Sequence, residues 1–334
     1  MNATATYPSG RAGRDRFVLE RRPLRLPRDP WRHQGVLVED ERAGDGTIAR
    51  VATIFLTGRE CPWRCVMCDL WQHTILDDTP RGALLKQLDD ALAALGAQDS
   101  RPGHVKLYNA SNFFDPRAVP EHDYDGIAAR LLSFKHVIVE SHPALIGERL
   151  VRFSAALARA AGGADAPSLE VAMGLETANP DALRALNKGF TLEQFARAAD
   201  RLRREGASLR AFLLVGVPFI EPSEQLEWTA RSVSFAFDCG ASVVSLIPTR
   251  PGNGTLEALG AITPTITDLE TAFERALTGA TGRVFADLWD IDRFAGCRSC
   301  FGPRESRIRM MNLEQRVRPS INCVDRGSTS GHAA

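Results

Sequence analysis

The stretch VATIFLTGRECPWRCVMC (residues 51–68) sets a near-continuous apolar run directly before a loop with three cysteines. A run with no polar face is the pattern of a strand buried on both sides, as in a parallel sheet covered by helices. The same pattern recurs at residues 104–110, 136–141, 168–175, 208–215 and 242–248, each followed by a segment of helical period. Leu84, Leu88, Leu92 and Leu95 form one helical stripe. Thr191 and Gln194 form a capping box ahead of Phe195, Ala199 and Leu202, with Gly206 as the stop. Pro222 opens a further helix that ends at Gly240. Six βα units predict an α/β fold, a partial (β/α)6 TIM-like barrel that stops short of the full eight.

Around that barrel, taken as residues 50–256, the chain changes character. Residues 1–49 are rich in Arg and Pro and read as an extended, at most partly ordered arm. Residues 257–326 form a cysteine-containing C-terminal extension, with a helix expected over 267–277 and a short strand over 283–288, and residues 327–334 read as a disordered tail. With 334 residues, 44% of them hydrophobic, and 41 basic against 41 acidic side chains, the chain has the composition of a globular protein of enzyme size. Zero net charge argues against whole-molecule attraction to nucleic acid or an acidic membrane. No apolar run reaches 18 residues and the first residues lack a hydrophobic core, so the expectation is a cytoplasmic protein with no membrane partner. Six of the seven cysteines fall into two groups, Cys61, Cys65, Cys68 and Cys297, Cys300, Cys323, while Cys239 stands alone as an expected core thiol. In a reducing compartment, grouping of this kind points to metal or cluster ligation before disulfides.

Cys61, Cys65 and Cys68 are spaced C-x3-C-x2-C, which supplies three corners of a [4Fe-4S] cube and leaves the fourth iron open. The competing reading is a zinc knob, which wants four protein ligands, with His73 the nearest further donor. The spacing, and its place after the first strand, resemble the radical S-adenosylmethionine (SAM) superfamily. That resemblance implies an open iron chelating the amino and carboxylate groups of SAM, and reductive cleavage of SAM to a 5'-deoxyadenosyl radical that abstracts hydrogen from a substrate. It also implies an electron donor such as flavodoxin or ferredoxin. Met67 stands where the superfamily's backbone helps hold adenine. Functional groups of parallel barrels gather at the C-terminal strand ends. The candidates there are Asn109, Ala110 and Ser111, at the place of the superfamily's SAM amino-binding stretch, then Glu140 and Ser141, Glu176 and Thr177, and Val215. Glu140 and Glu176 suit ribose hydroxyls or an ammonium group, or alternatively a helix cap or an arginine. His142, before Pro143, reads as a solvated turn residue.

The segments GLETANP (174–180), NKGFT (187–191) and AFLLVGVP (211–218) narrow the resemblance to the branch that contains the elongator catalytic subunit and the radical SAM protein of archaeosine synthesis. Over residues 53–256 this implies a lyase acting on a modified 7-deazaguanine base in tRNA. A radical SAM enzyme of small-molecule or peptide biosynthesis is the alternative within the class. A non-catalytic zinc or iron-sulfur RNA-binding protein is the alternative outside it. Cys297, Cys300 and Cys323, flanked by Gly296 and Gly302, read either as a zinc or auxiliary iron-sulfur site or as unpaired thiols. The arginines of residues 11–32 and 293–326 read either as phosphate contacts or as salt bridges with the equally numerous carboxylates.

Overall fold

A computed structural model describes residues 7–96, 102–163 and 165–323, so the expected disordered tail lies outside the described residues. The first helix is α1 (Arg11–Leu19), followed by strands β1 (Gly35–Arg42) and β2 (Ile48–Phe55). Helix α2 (Ala83–Gly96), β3 (His104–Tyr108), α3 (Tyr124–Leu131), β4 (His136–Glu140), α4 (Glu148–Ala161) and β5 (Ser168–Glu176) continue the chain. Next come α5 (Pro180–Ala185), α6 (Leu192–Arg204), β6 (Ser208–Val215), α7 (Gln225–Asp238) and β7 (Ala241–Pro248). The last elements are α8 (Thr255–Ala258), α9 (Ile266–Gly279), β8 (Arg283–Ala286) and α10 (Arg298–Glu314). All eight strands form one sheet in the order β1 to β8. From β2 to β8 every pairing is parallel. The fold is therefore a partial TIM-like barrel whose six expected strands are β2 to β7.

The expected helices follow from their apolar stripes. Leu84, Leu88 and Leu95 of α2 are buried, and α6 carries the full Thr191/Gln194 capping box with Phe195, Ala199 and Leu202 inside. Gly206 adopts φ +73°, the left-handed backbone that lets the chain turn straight into β6.

Two features depart from the expectation of an extended arm over residues 1–49. Helix α1 buries Phe17 and Val18, the latter against Val66 and Leu256. Strand β1 pairs antiparallel with β2 although its sequence, GVLVEDER, ends in four charged residues. Its Glu41 is turned inward. There Arg210, buried on β6, binds both Glu41 and Glu170 of β5, and Lys106 Nζ lies 2.5 Å from Glu41. Burial alone would raise the Glu41 carboxyl, but Arg210 and Lys106 outweigh it and hold it well below the usual carboxylate range. A strand with charged residues is thus stabilised by paired ions in the N-terminal half of the barrel, a contact that a linear pattern does not display.

Helix α10 packs against both edge strands, β1 and β8. Its Asn312 and Gln315 side chains donate to and accept from the backbone of Ala286 and Val284, so amide groups cover the free edge of β8 as another strand would.

Candidate functional site

The three-cysteine loop leaves β2 at the C-terminal end of the parallel sheet and is tied to three other parts of the chain. Val66 N–H donates to Leu186 O (3.0 Å), Asn253 Nδ2 donates to Val66 O (2.7 Å), and Glu60 N–H donates to Ile75 O (2.9 Å). Glu60 also gathers Arg22, Arg25 and Arg64, which draws the N-terminal segment onto the loop. Cys65 is buried, and Cys61 and Cys68 are half-buried. Asn112 Nδ2 lies 3.2 Å from Cys61 Sγ and donates to it. Burial pushes the Cys65 thiol up to about 12 and raises Cys61 and Cys68 as well, while Lys188, Arg64 and Arg22 pull the other way.

Cys61, Cys65 and Cys68 offer three thiols from one loop, all free of disulfides. His73, the nearest further donor in sequence, faces Arg28 instead, with Nδ1 3.5 Å from Nη2. Three soft donors from one loop fit a [4Fe-4S] group with one iron open to a further ligand.

The floor beside the loop is set by Trp63, which the sequence did not single out, and by His142. Trp63, inside the loop, stacks on His142 with ring centroids 3.6 Å apart. His142 Nδ1 accepts from Ala144 N–H (3.1 Å), so Nε2 carries the proton and donates to Lys188 O (2.8 Å). Burial, followed by Lys188, lowers the imidazole to about 3. The expectation of a solvated turn residue is corrected: His142 is a buried, neutral spacer between the loop and residue 188.

Lys188 Nζ pairs with Glu176 Oε1 at 2.8 Å, and both side chains are about nine-tenths buried. Burial would lower the Lys188 ammonium, yet Glu176 and the nearby Cys65 and Cys61 raise it on balance. Glu176 itself sits at φ +67° at the end of a β5 irregularity. Gly174 makes room for the pair, because a Cβ there would stand 2.3 Å from Glu176 Oε1 and 2.9 Å from Lys188 Nζ. Glu176 is expected to meet ribose hydroxyls or an ammonium group, or to cap a helix or pair with an arginine; the structure pairs it with Lys188.

Glu140, at the end of β4, accepts from Asn109 N–H (2.8 Å) and also bonds the backbone N–H groups of Ala110 and Ser111. Burial raises its carboxyl to about 7, with those three bonds opposing. It shapes the turn after β3, where Ala110 takes φ +54°. Asn109 Nδ2 and Ser111 Oγ are buried there without a hydrogen-bond partner among the described residues. Buried polar atoms are rarely left so, and a polar ligand at this strand end would satisfy them.

The remaining candidates have packing or capping places. Ser141 N–H donates to Ala172 O. Thr177 Oγ1 accepts from Asn179 N–H (3.1 Å) just ahead of α5. Met67 packs between two small apolar clusters. Val215 is buried in the main core at the end of β6. Cys239 packs partly buried against the same core, as expected. An open cleft of about 450 Å³ adjoins the loop, lined among others by Arg11, Arg14, Arg184, Asn187 and Gly189. Trp63 lies beside Gly189.

Away from this site, Cys297, Cys300 and Cys323 place their sulfurs within 4.8 Å of one another. The arginines of the two terminal segments divide. Arg304 and Arg307 pair with Glu270, and Arg316 and Arg318 pair with Glu314, whereas Arg14 bonds the backbone carbonyls of Pro8, Ser9 and Arg184. Among the described residues, no helix is long and apolar enough to cross a membrane.

Comparison with known proteins bears on these sites. No protein-family model matches the chain. It is 24% identical over 231 residues to the archaeosine synthase subunit beta of Methanosarcina acetivorans, covering 67% of this chain and 62% of that protein. It is 25% identical over 232 residues to an uncharacterized protein of Methanocaldococcus jannaschii, covering 66% of this chain and 61% of that one. The chain thus spans about three-fifths of the length of these curated relatives. A solved structure of methylornithine synthase is similar at a TM-score of 0.46 and 13% identity, over 69% of this chain and 64% of that one.

Proposed function

We propose that this protein is a radical SAM enzyme. The observation that carries the reading is the C-x3-C-x2-C loop at the C-terminal end of β2, with Cys65 buried and Cys61 and Cys68 half-buried, together with the unsatisfied Asn109 and Ser111 atoms at the end of β3. Cys61, Cys65 and Cys68 would hold three irons of a [4Fe-4S] cluster. When bound, that cluster would supply one electron to SAM, breaking a sulfonium C–S bond to give methionine and a 5'-deoxyadenosyl radical that leaves as 5'-deoxyadenosine after taking a hydrogen atom from substrate.

The chain's own residues bind, orient and exclude water. Asn112 places an N–H on the Cys61 sulfur, which favours added electron density there. Glu140 fixes the backbone of residues 109–111 as a rim for the SAM amino and carboxylate groups, with Asn109 and Ser111 as its polar contacts. The Glu176–Lys188 pair forms another wall beside Cys65 and Cys61. Helix α1 and the Glu60 arginine cluster cover the loop from outside, shielding a reactive species from solvent. The catalytic unit comprises residues 50–256, with 1–49 and 257–326 as flanking segments.

The substrate is a modified 7-deazaguanine base in tRNA, supported by the similarity to archaeosine synthase subunit beta and by the arginine-lined cleft beside Trp63. The test is electron paramagnetic resonance of anaerobically reconstituted, dithionite-reduced protein, with and without SAM. The reading expects a [4Fe-4S] signal that shifts on adding SAM, together with formation of 5'-deoxyadenosine. A signal indifferent to SAM sinks it. The tRNA assignment expects binding that weakens steeply with salt, and binding unaffected by Arg11→Ala with Arg14→Ala counts against that part alone.

A further inference from the structure

Cys297, Cys300 and Cys323 are built together by a device separate from the first loop. Cys297 is the N-cap of α10 and Cys300 lies in its first turn, so both stand at the positive end of a 17-residue helix. Cys323 comes from 26 residues beyond Cys297. At the other end of α10, Gln315 takes φ +54° and turns the chain back. The returning segment is then clipped by Arg307, which donates from Nε to Pro319 O (2.7 Å) and Arg318 O (3.2 Å) while binding Glu270 and Glu274 of α9. Arg304, one turn beyond Cys300, is held by Glu270 and Thr267, Nε to Glu270 Oε2 at 2.7 Å and Nη2 to Thr267 Oγ1 at 2.8 Å.

The result is a convergence of three thiols from two chain segments. Cys297 Sγ and Cys323 Sγ are 3.5 Å apart, and all three sulfurs fall within 4.8 Å of one another. Thiolates on a tetrahedral zinc ion, with Zn–S about 2.3 Å, lie about 3.8 Å apart. Ligands of a four-iron cube each extend from a different corner and stand wider.

We propose that Cys297, Cys300 and Cys323 bind a single thiophilic divalent ion of the zinc type, which fastens the chain after α10 to the start of that helix. The fourth corner is left to water or another donor. The ion is structural: it sits at the end of α10 remote from the Asn312 and Gln315 contacts with β8, and it takes no part in the chemistry at the first loop. This inference stands on its own geometry and does not depend on the radical reading.

The test is zinc content and X-ray absorption at the zinc edge for the full chain grown with both zinc and iron available. The expected result is about one zinc per chain with three sulfur neighbours at about 2.3 Å. Zinc is retained in Cys65→Ala and lost in Cys300→Ser, where iron content and the circular dichroism spectrum stay as in the parent. Measurement on the parent protein decides the matter even if the variants fold poorly. Four outcomes overturn the proposal: a parent chain free of zinc, zinc that disappears with Cys65→Ala but survives Cys300→Ser, a second complement of about four irons per chain, or a Cys297–Cys323 disulfide seen as the loss of two hydrogens in the intact mass.

Discussion

The two cysteine groups are built in opposite ways. The first draws all its thiols from eight consecutive residues, Cys61 to Cys68, but takes its surroundings from Arg22, Asn112, His142, Glu176, Lys188 and Asn253, spread over most of the barrel. The second takes its thiols from both ends of a helix-and-return, yet its surroundings are α10 and the adjoining turn of α9. The second draws its three sulfurs within 4.8 Å of one another. Local ligands with distant surroundings suit a reactive group whose environment must be tuned. Distant ligands with local surroundings suit an ion that staples chain to chain.

The largest expected effect separates the two groups outright. Cys65→Ala should reduce iron to about three per chain or fewer and bring 5'-deoxyadenosine formation to background, with zinc content unchanged. Cys300→Ser should do the converse: zinc falls to background while SAM cleavage stays within about twofold of the parent. If either substitution removed both metals, the two groups would be one system and the contrast would fail.

Next in size is Lys188→Met. It leaves Glu176 buried with no cation and should destabilise the chain by about 3–5 kcal/mol in denaturant titration. Because the pair walls the first loop, iron occupancy should fall as well, while zinc at Cys300 holds. Equal loss of both metals would show only general unfolding.

Features were legible in the sequence to the degree that they are local. The six barrel strands repeat a short pattern and came out where it placed them, with the C-x3-C-x2-C loop directly after β2. Cys323 could be grouped with Cys297 and Cys300 but not brought to them, since the return after Gln315 depends on Arg307 bridging α9 and the tail. The same limit hid β1, whose Glu41 is compensated by Arg210, 169 residues away. His142 was misplaced for a related reason: its polar atoms are satisfied by Ala144 and Lys188, and its ring by Trp63, none of which the local His-Pro pattern reveals. The Gly174-Leu-Glu-Thr segment carried a signal in its glycine, though what the glycine makes room for became visible only with Lys188 in place.

Glu140 offers a pH-dependent test of how the first site is held. Its folded-state carboxyl lies near 7 against an ordinary 4.5, raised by burial. The folded chain therefore binds this proton more tightly than the unfolded chain, and the contribution of Glu140 to stability falls as pH rises from about 4.5 to 7, by about 3 kcal/mol in all, against the opposite slope of His142 below about 6.5. Glu41 and Glu170 are shifted in the opposite direction and exert their effect below this window. Glu140→Gln should remove that contribution and leave the His142 slope in place, so the difference between parent and variant should slope between pH 5 and 7 and be flat from 8 to 9. A flat difference throughout would mean that the carboxylate is fully compensated by the N–H groups of residues 109–111.

The smallest effect concerns the space between Glu176 and Lys188. A methyl at Gly174 would stand 2.3 Å from Glu176 Oε1 and 2.9 Å from Lys188 Nζ, so one side chain of a buried pair must move. Gly174→Ala should cost about 1–2 kcal/mol, less than removing the pair because side-chain ends can shift where backbone cannot. In a chain that already carries Lys188→Met and Glu176→Gln, the same substitution should cost less, because the ion pair no longer fixes the two ends. The coupling in that cycle, about 1 kcal/mol, measures how far the glycine serves the pair and how far it serves β5 itself. Full additivity would assign Gly174 to the strand and leave the wall of the first site independent of it.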